Sequence, residues 1–318
     1  MHVLEMRDVS RKYSFKRYFW QRKKVIEAVK GVTLSIEQGT CLGLVGESGC
    51  GKTTLGKIAA GIEKPDQGEI LLMGSSMLSS PRSQRLLMRK ELQMVFQDCT
   101  GSVNPRHTAG KVIGEPIRNF LKLNKDEEEG MVEKLLETVG LNKEDRHKYP
   151  GQFSGGQLQR VCIARALAVK PMLIVLDEPL SSLDVSVQAQ ILNLLADLKK
   201  EYGLSYLFIS HDIEAVYYLS DALAVMYLGN VVEYIADISM FEALCHPYAE
   251  KLLSSVLPAD PGKIKNMEVK NDENEKPGTG PGGCSYARRC ARASARCLDT
   301  APGLKEVSEK HYVACHHY

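Results

Sequence analysis

At 318 residues and 35.3 kDa, with 44% apolar and 25% charged residues and a formal net charge of +2, the chain has the composition of a soluble globular protein holding one large or two modest domains. So small a charge, with no helical stripe of Lys and Arg, gives no case for a nucleic-acid partner. No apolar run reaches the roughly 18 residues a membrane helix needs and Met1 to Asp8 lacks the apolar stretch of a signal peptide, so the expectation is a cytosolic protein that meets a membrane only peripherally, through a partner.

The first strand signal is Val3-Leu4-Glu5-Met6. Tyr13 follows, inside a basic and aromatic stretch from Arg11 to Lys24 that also holds Phe15, Tyr18, Phe19 and Trp20. Two readings of that stretch stay open: a solvated loop, or a surface meeting a membrane-embedded partner or lipid headgroups. Next, Cys41-Leu42-Gly43-Leu44-Val45 reads as a short buried strand and Thr53 to Ala60 as a helix. Between them, Gly46-Glu47-Ser48-Gly49-Cys50-Gly51-Lys52-Thr53 fits the Walker A pattern G-x-x-x-x-G-K-[ST]. Gly46, Gly49 and Gly51 let the backbone turn tightly and aim N–H groups at phosphate oxygens, and the helix N-terminus adds its positive dipole. Lys52 is expected to reach the β- and γ-phosphates of ATP, and Thr53 to place its hydroxyl on Mg²⁺. Ser48, Cys50 and Thr54 complete this nucleotide-binding set, Cys50 as a small filler.

After the apolar trio Met94-Val95-Phe96 comes Gln97, and then a helix-rich piece, roughly 98–160, with an amphipathic stretch from Glu127 to Val139. At its end Ser154 is a good N-cap, and Ser154-Gly155-Gly156-Gln157 opens a helix running to Val169 whose exposed N–H groups suit an anion. Leu173 to Leu176 is apolar throughout and too short for a helix, as expected of a central strand covered on both faces. Asp177 falls at its C-terminal end, where open sheets put ligands, and is the candidate for holding Mg²⁺. Glu178 stands where a carboxylate polarises the water attacking the γ-phosphate. Pro179 and Ser181-Ser182-Leu183-Asp184 follow, and a second strand, Tyr206 to Ile209, leads into Ser210-His211-Asp212.

Taken in this order, the phosphate loop, Ser154-Gly155-Gly156-Gln157 and Asp177-Glu178 resemble the nucleotide-binding domain of an ABC transporter. The resemblance implies an α/β fold: a P-loop NTPase core with an antiparallel β region and an inserted helical subdomain. It implies that Gln97 is the Q-loop amide sensing Mg²⁺ and water, that His211 is the switch histidine holding Glu178 and the water, and that Tyr13 stacks on adenine. It also implies that Ser154, Gly155, Gly156 and Gln157 clamp the nucleotide of an opposite subunit, with Asp184 crossing the same interface. One Walker A and one signature occur in the chain, so the second ATPase subunit, expected to be a paralogue, is another polypeptide.

The last part departs from the common engine. His246-Pro247-Tyr248 precedes a short helix, Pro258 to Gly283 reads as a flexible connector, and Cys284, Cys290, Cys297 and Cys315 crowd the end. This gives a division into 1–257, the ATPase domain, and 258–318, linker and small cysteine-rich C-terminal extension. The run Gly283-Cys284-Ser285-Tyr286-Ala287-Arg288-Arg289-Cys290, with Cys297-Leu298-Asp299 and His311 to His316, closely resembles the extension of oligopeptide and dipeptide transporter ATPases; Tyr286 and Ala291 depart from its usual phenylalanine and proline. Asn104-Pro105-Arg106 matches the peptide and nickel branch. The implied function is ATP hydrolysis at the cytoplasmic face of the cell membrane, powering dipeptide or oligopeptide import with two permease subunits and an extracytoplasmic substrate-binding protein. Import of nickel, another metal chelate or an oligosaccharide, and a non-transport ABC ATPase, remain the alternatives. A reducing compartment disfavours disulfides. The spacings lack the tight pairs of a zinc knuckle and suit a [4Fe–4S] cluster, with zinc or no metal left open. Separated from the phosphate loop by the connector, the extension is expected to have a structural or docking role and no direct part in hydrolysis.

Overall fold

The structure, a computed structural model, describes residues 1–15, 24–254 and 282–318. Tyr18, Phe19 and Trp20, the side chain of Phe15 and nearly all of the connector lie outside the described residues. The chain begins with β1 (His2–Phe15), β2 (Lys24–Glu37), β3 (Cys41–Val45), α1 (Lys52–Ala59), β4 (Gln67–Leu72), β5 (Ser75–Ser76), α2 (Arg82–Glu91) and β6 (Leu92–Val95). A helical segment follows, α3 (Ala109–Phe120), α4 (Lys125–Thr138) and α5 (Gly155–Leu167), with two short 3₁₀ turns before α5. The chain returns to the sheet through β7 (Leu173–Asp177), α6 (Val185–Tyr202), β8 (Ser205–Ile209), α7 (Ile213–Leu219), β9 (Ala222–Tyr227) and β10 (Asn230–Ile235), then α8 (Pro247–Ser254). Beyond the connector come α9 (Ala295–Asp299), β11 (Lys305–Ser308) and β12 (His311–Val313).

Two sheets organise these elements. One is antiparallel in the order β2-β1-β4-β5; the other runs β11-β12-β10-β9-β3-β8-β7-β6, with β9, β3, β8, β7 and β6 parallel. Of the parallel strands, β3, β7 and β8 are buried from end to end, which is why their sequences show no polar alternation. The pleat still divides them. Leu173, Val175, Leu207 and Ile209 face a core shared with α1 and the antiparallel sheet, whereas Ile174, Leu176, Tyr206 and Phe208 face a core shared with α3, α5 and α6. Truncating Phe208, fully buried, to alanine would cost about 3–5 kcal/mol.

Local chemistry sets the helix starts. Asn124 caps α4 by accepting from Glu127 N–H while Glu127 Oε2 accepts from Asn124 N–H, a reciprocal box that satisfies two end donors. Ser154 and Gln157 do the same for α5. The extension does not hang off the sheet. β12 pairs antiparallel with β10, Tyr234 opposite Tyr312, and β11 covers β12. Beside that seam the buried Glu233 carboxylate accepts from the Cys245 and His246 N–H groups at 2.8 and 3.1 Å, and His311 Nε2 lies 2.7 Å from it.

Candidate nucleotide site

The phosphate loop leaves β3 through Gly46, at φ +155°, and enters α1 through Gly51, at φ +111°. A Cβ at Gly51 would stand 2.0 Å from the Ala28 carbonyl oxygen, and one at Gly46 2.1 Å from that of Met226. Both positions therefore exclude any side chain. Gly49, at φ +79°, meets nothing within 4 Å, so it serves the turn alone. Lys52 lies over the loop, its ammonium donating to Gly46 O at 2.7 Å and Glu47 O at 3.1 Å. Cys50 is buried, which pushes its thiol pKa up and keeps it protonated.

Next to the loop the two strand-end carboxylates separate in environment. Thr53 Oγ1 donates to Asp177 Oδ1 at 3.1 Å. Burial raises the Asp177 pKa, against the Thr53 hydrogen bond and with the negative charge of Glu178 adding to the rise. Glu178, one residue on, is met from two directions: Gln97 Nε2 donates to its Oε2 at 3.1 Å, and His211 Nδ1 lies 3.3 Å from the same oxygen. Residues 81 and 33 positions away in sequence thus converge on one carboxylate oxygen beside the Thr53–Asp177 pair. A cleft here is lined by Ser48, Gln97, Gly155, Leu158, Glu178 and His211, among others.

Tyr13, at the end of β1, places its ring beside the first turn of α1. Its hydroxyl donates to Glu63 Oε1 at 2.6 Å, Thr54 is within side-chain hydrogen-bond reach, and the Arg11 guanidinium covers the ring at 5.1 Å. The signature residues bond one another and not the loop of their own chain: Ser154 Oγ accepts from Gln157 N–H, and Gly156 packs where a Cβ would come within 2.3 Å of Val187. Asp184 caps α6, accepting from Val187 N–H at 3.0 Å and Ser186 Oγ at 2.7 Å.

Cys284, Cys290, Cys297 and Cys315 are all free thiols. Burial raises the pKa values of Cys284 and Cys290, and the neighbouring cysteines add to the rise. Among the described residues, the one group of three ligand-type side chains with atoms within 4.8 Å of one another is Glu233, Cys245 and His311. Four cysteines in one small segment are a donor set that a [4Fe–4S] cluster takes and that structural zinc also takes. In the trio, by contrast, the Glu233 carboxylate is already satisfied by its two N–H donors and His311.

The expected separation of the extension from the phosphate loop is corrected. Distance along the chain is not distance in space: Arg289, next to Cys290, places both guanidinium nitrogens on the Glu47 carboxylate of the phosphate loop, at 2.9 and 3.0 Å. In the sequence Arg289 stands out only as part of the run from Gly283 to Cys290, and Glu47, Tyr227 and Tyr248 carry no signal of a shared contact. Nothing in local spacing could have joined positions 242 residues apart.

Residues 29–181 match the family described as ABC transporter, and residues 232–297 match the oligopeptide/dipeptide transporter C-terminal region. The oligopeptide transport ATP-binding protein AppF of Bacillus subtilis (strain 168) is 42% identical, over 99% of this chain and 97% of its own length. OppF of Escherichia coli (strain K12) is 41% identical over 98% and 95%, and the dipeptide transport protein DppF of Haemophilus influenzae 39% over 96% and 93%. Among solved structures, the dimeric post-hydrolysis state of the ATP-binding cassette MJ0796 with ADP and Pi superposes with a TM-score of 0.64 at 27% identity, covering 72% of this chain and 96% of that one. The cbiO1 protein of Clostridium perfringens, part of the cbiONQ transporter complex, gives 0.64 at 28%, covering 76% and 91%.

Proposed function

Because this chain belongs to the ATP-binding subunits of the oligopeptide/dipeptide ABC transporter family, we propose that its ATP hydrolysis drives peptide import within a multi-subunit importer, with two permeases and an extracytoplasmic binding protein. Among the described residues no helix is long and apolar enough to cross a membrane, which fits a peripheral subunit docked on the cytoplasmic face. The N–H groups of Gly46 to Gly51 cradle the phosphates and Lys52 neutralises them. Tyr13, beside Thr54, offers its ring to adenine. Thr53, Asp177 and Gln97 are the residues that would hold Mg²⁺, which supplies charge to stabilise the leaving phosphates; a divalent ion at Asp177 would offset the penalty of its burial.

Glu178 orients and polarises the attacking water, and Gln97 and His211 hold its carboxylate in place. The convergence of Gln97 and His211 on Glu178 Oε2 carries this reading. Ser154, Gly155, Gly156 and Gln157 act on the nucleotide held by a second ATPase subunit, a paralogue or a copy; the dimeric MJ0796 structure supports a paired arrangement. Cys284, Cys290, Cys297 and Cys315 are assigned as ligands of an iron–sulfur centre, which would contribute cross-linking and charge compensation to the extension.

The test is Glu178→Gln in the assembled transporter. Losing the water-orienting carboxylate should cut ATP turnover at least about a hundredfold while Mg-ATP still binds. Turnover near wild type would remove Glu178 from the mechanism.

A further inference from the structure

Glu47 is the second residue of the phosphate loop, and it is held at every polar group it has. Its N–H donates to the Tyr248 hydroxyl at 2.7 Å. Its carbonyl oxygen accepts from Lys52 Nζ at 3.1 Å and Cys50 N–H at 3.2 Å. Its carboxylate accepts both prongs of Arg289, at 2.9 and 3.0 Å. Arg289 is fixed in turn. Its Nη1 lies 3.3 Å from the Tyr227 hydroxyl, and its guanidinium stands 5.8 Å and 5.9 Å from the ring centres of Tyr227 and Tyr286. Those rings close into one aromatic cluster with Tyr248: Tyr227 to Tyr248 at 4.6 Å, and Tyr286 at 5.2 Å from Tyr227 and 5.5 Å from Tyr248.

We propose that Arg289 is a positioning residue for the phosphate loop, so that the C-terminal extension sets this chain's affinity for nucleotide. The inference rests on the reading of Gly46 to Thr53 as the ATP site. A planar guanidinium matched to a carboxylate by two parallel hydrogen bonds fixes orientation as well as distance, which a lysine in its place cannot do. Glu47 precedes the N–H groups that face phosphate, so rotating its peptide would re-aim them. The Glu47 side chain is 43% exposed, and exposed ion pairs add little to global stability. The pair is therefore expected to be felt in loop geometry more than in melting temperature. Arg289 also ends a short turn bounded by Cys290, and the Cys284 N–H donates to the Cys297 carbonyl at 2.7 Å. The turn that carries Arg289 is thereby tied to the backbone of the cysteine-bearing segment.

The experiment measures Mg-ATP affinity of the full-length chain by calorimetry, for Arg289→Lys, Arg289→Ala, Glu47→Ala and the double variant Arg289→Ala with Glu47→Ala. Each single change should weaken binding about tenfold, and the double variant should be no weaker than the worse single one. Exchanging the partners, Glu47→Arg with Arg289→Glu, should recover part of the loss. Arg289→Lys keeps charge and stem, so with a wild-type melting curve its affinity isolates the fork. Wild-type affinity in that variant, or additive losses in the double one, overturns the proposal. Lys52→Ala in the same series separates the two readings. If Lys52→Ala abolishes binding while Arg289→Lys does not weaken it, only the positioning role falls; if Lys52→Ala binds normally, the nucleotide site itself is misassigned.

Discussion

Glu178 holds φ at +46°, a left-handed backbone that a non-glycine residue accepts at a cost of about 1–3 kcal/mol. Its N–H donates to Ile209 O at 2.9 Å, and its carbonyl accepts from Ser181. The strand end is thus tied to β8, and the carboxylate is aimed by backbone and by Gln97 and His211 together. Lys52 and Ser154 should separate by which nucleotide they serve. Lys52→Ala should abolish Mg-ATP binding at this chain's own site. Ser154→Ala should leave that affinity nearly unchanged, cost about 1 kcal/mol through the lost helix cap, and lower turnover at the site whose phosphate loop belongs to the partner. Turnover measured with one mutated and one wild-type subunit checks this, and equal loss at both sites would remove the shared-site assignment. These residues were legible because their chemistry is encoded in short spacings: Lys52 and Thr53 follow Gly51 directly, and Asp177-Glu178 ends a buried strand. Arg289 was not, because its partner is set by tertiary packing.

At the scale of elements, strands β3, β7 and β8 and the helices α1 and α5 follow from apolar runs and caps, and each forms within a residue or two of its expected position. The edge strands β11 and β12 carried no such signal: three residues, His311 to Val313, become a strand only because β10 offers its edge and Glu233 offers a buried partner to His311. How α8 is fastened near this seam predicts a pH dependence. His246 is buried and its Nδ1 accepts from the Tyr248 N–H at 3.1 Å, which requires the neutral ring. Burial lowers its pKa to about 4, from an ordinary 6.5. The unfolded chain therefore binds this proton first, so its contribution to stability is complete above pH 6.5 and is lost as pH falls from 6.5 toward 4. The loss is on the order of 3 kcal/mol. Denaturation midpoints measured from pH 7.5 to 5 should fall in the wild type and fall less in His246→Gln. Parallel curves would place the proton elsewhere.

Over the whole molecule, the extension links two distant places, the edge of the large sheet through β12 and the phosphate loop through Arg289. Whatever holds its four cysteines together is therefore felt at both. Burial and mutual repulsion disfavour thiolates at Cys284 and Cys290 unless a cationic centre compensates them, and four cysteine thiolates are the ligand set of a [4Fe–4S] cluster. Protein purified without oxygen should accordingly be brown and carry about four irons and four acid-labile sulfides per chain. Cys290→Ser should lower the iron content, loosen the segment from Gly282 to Tyr318 to proteolysis and, because Arg289 is its neighbour, weaken Mg-ATP binding in step with Arg289→Ala. Colourless protein with one zinc per chain would overturn the iron–sulfur assignment while leaving the Arg289 contact intact. Iron loss with unchanged nucleotide affinity would instead show that the extension keeps Arg289 in place without its metal, by β12 and the Tyr227–Tyr248–Tyr286 cluster alone.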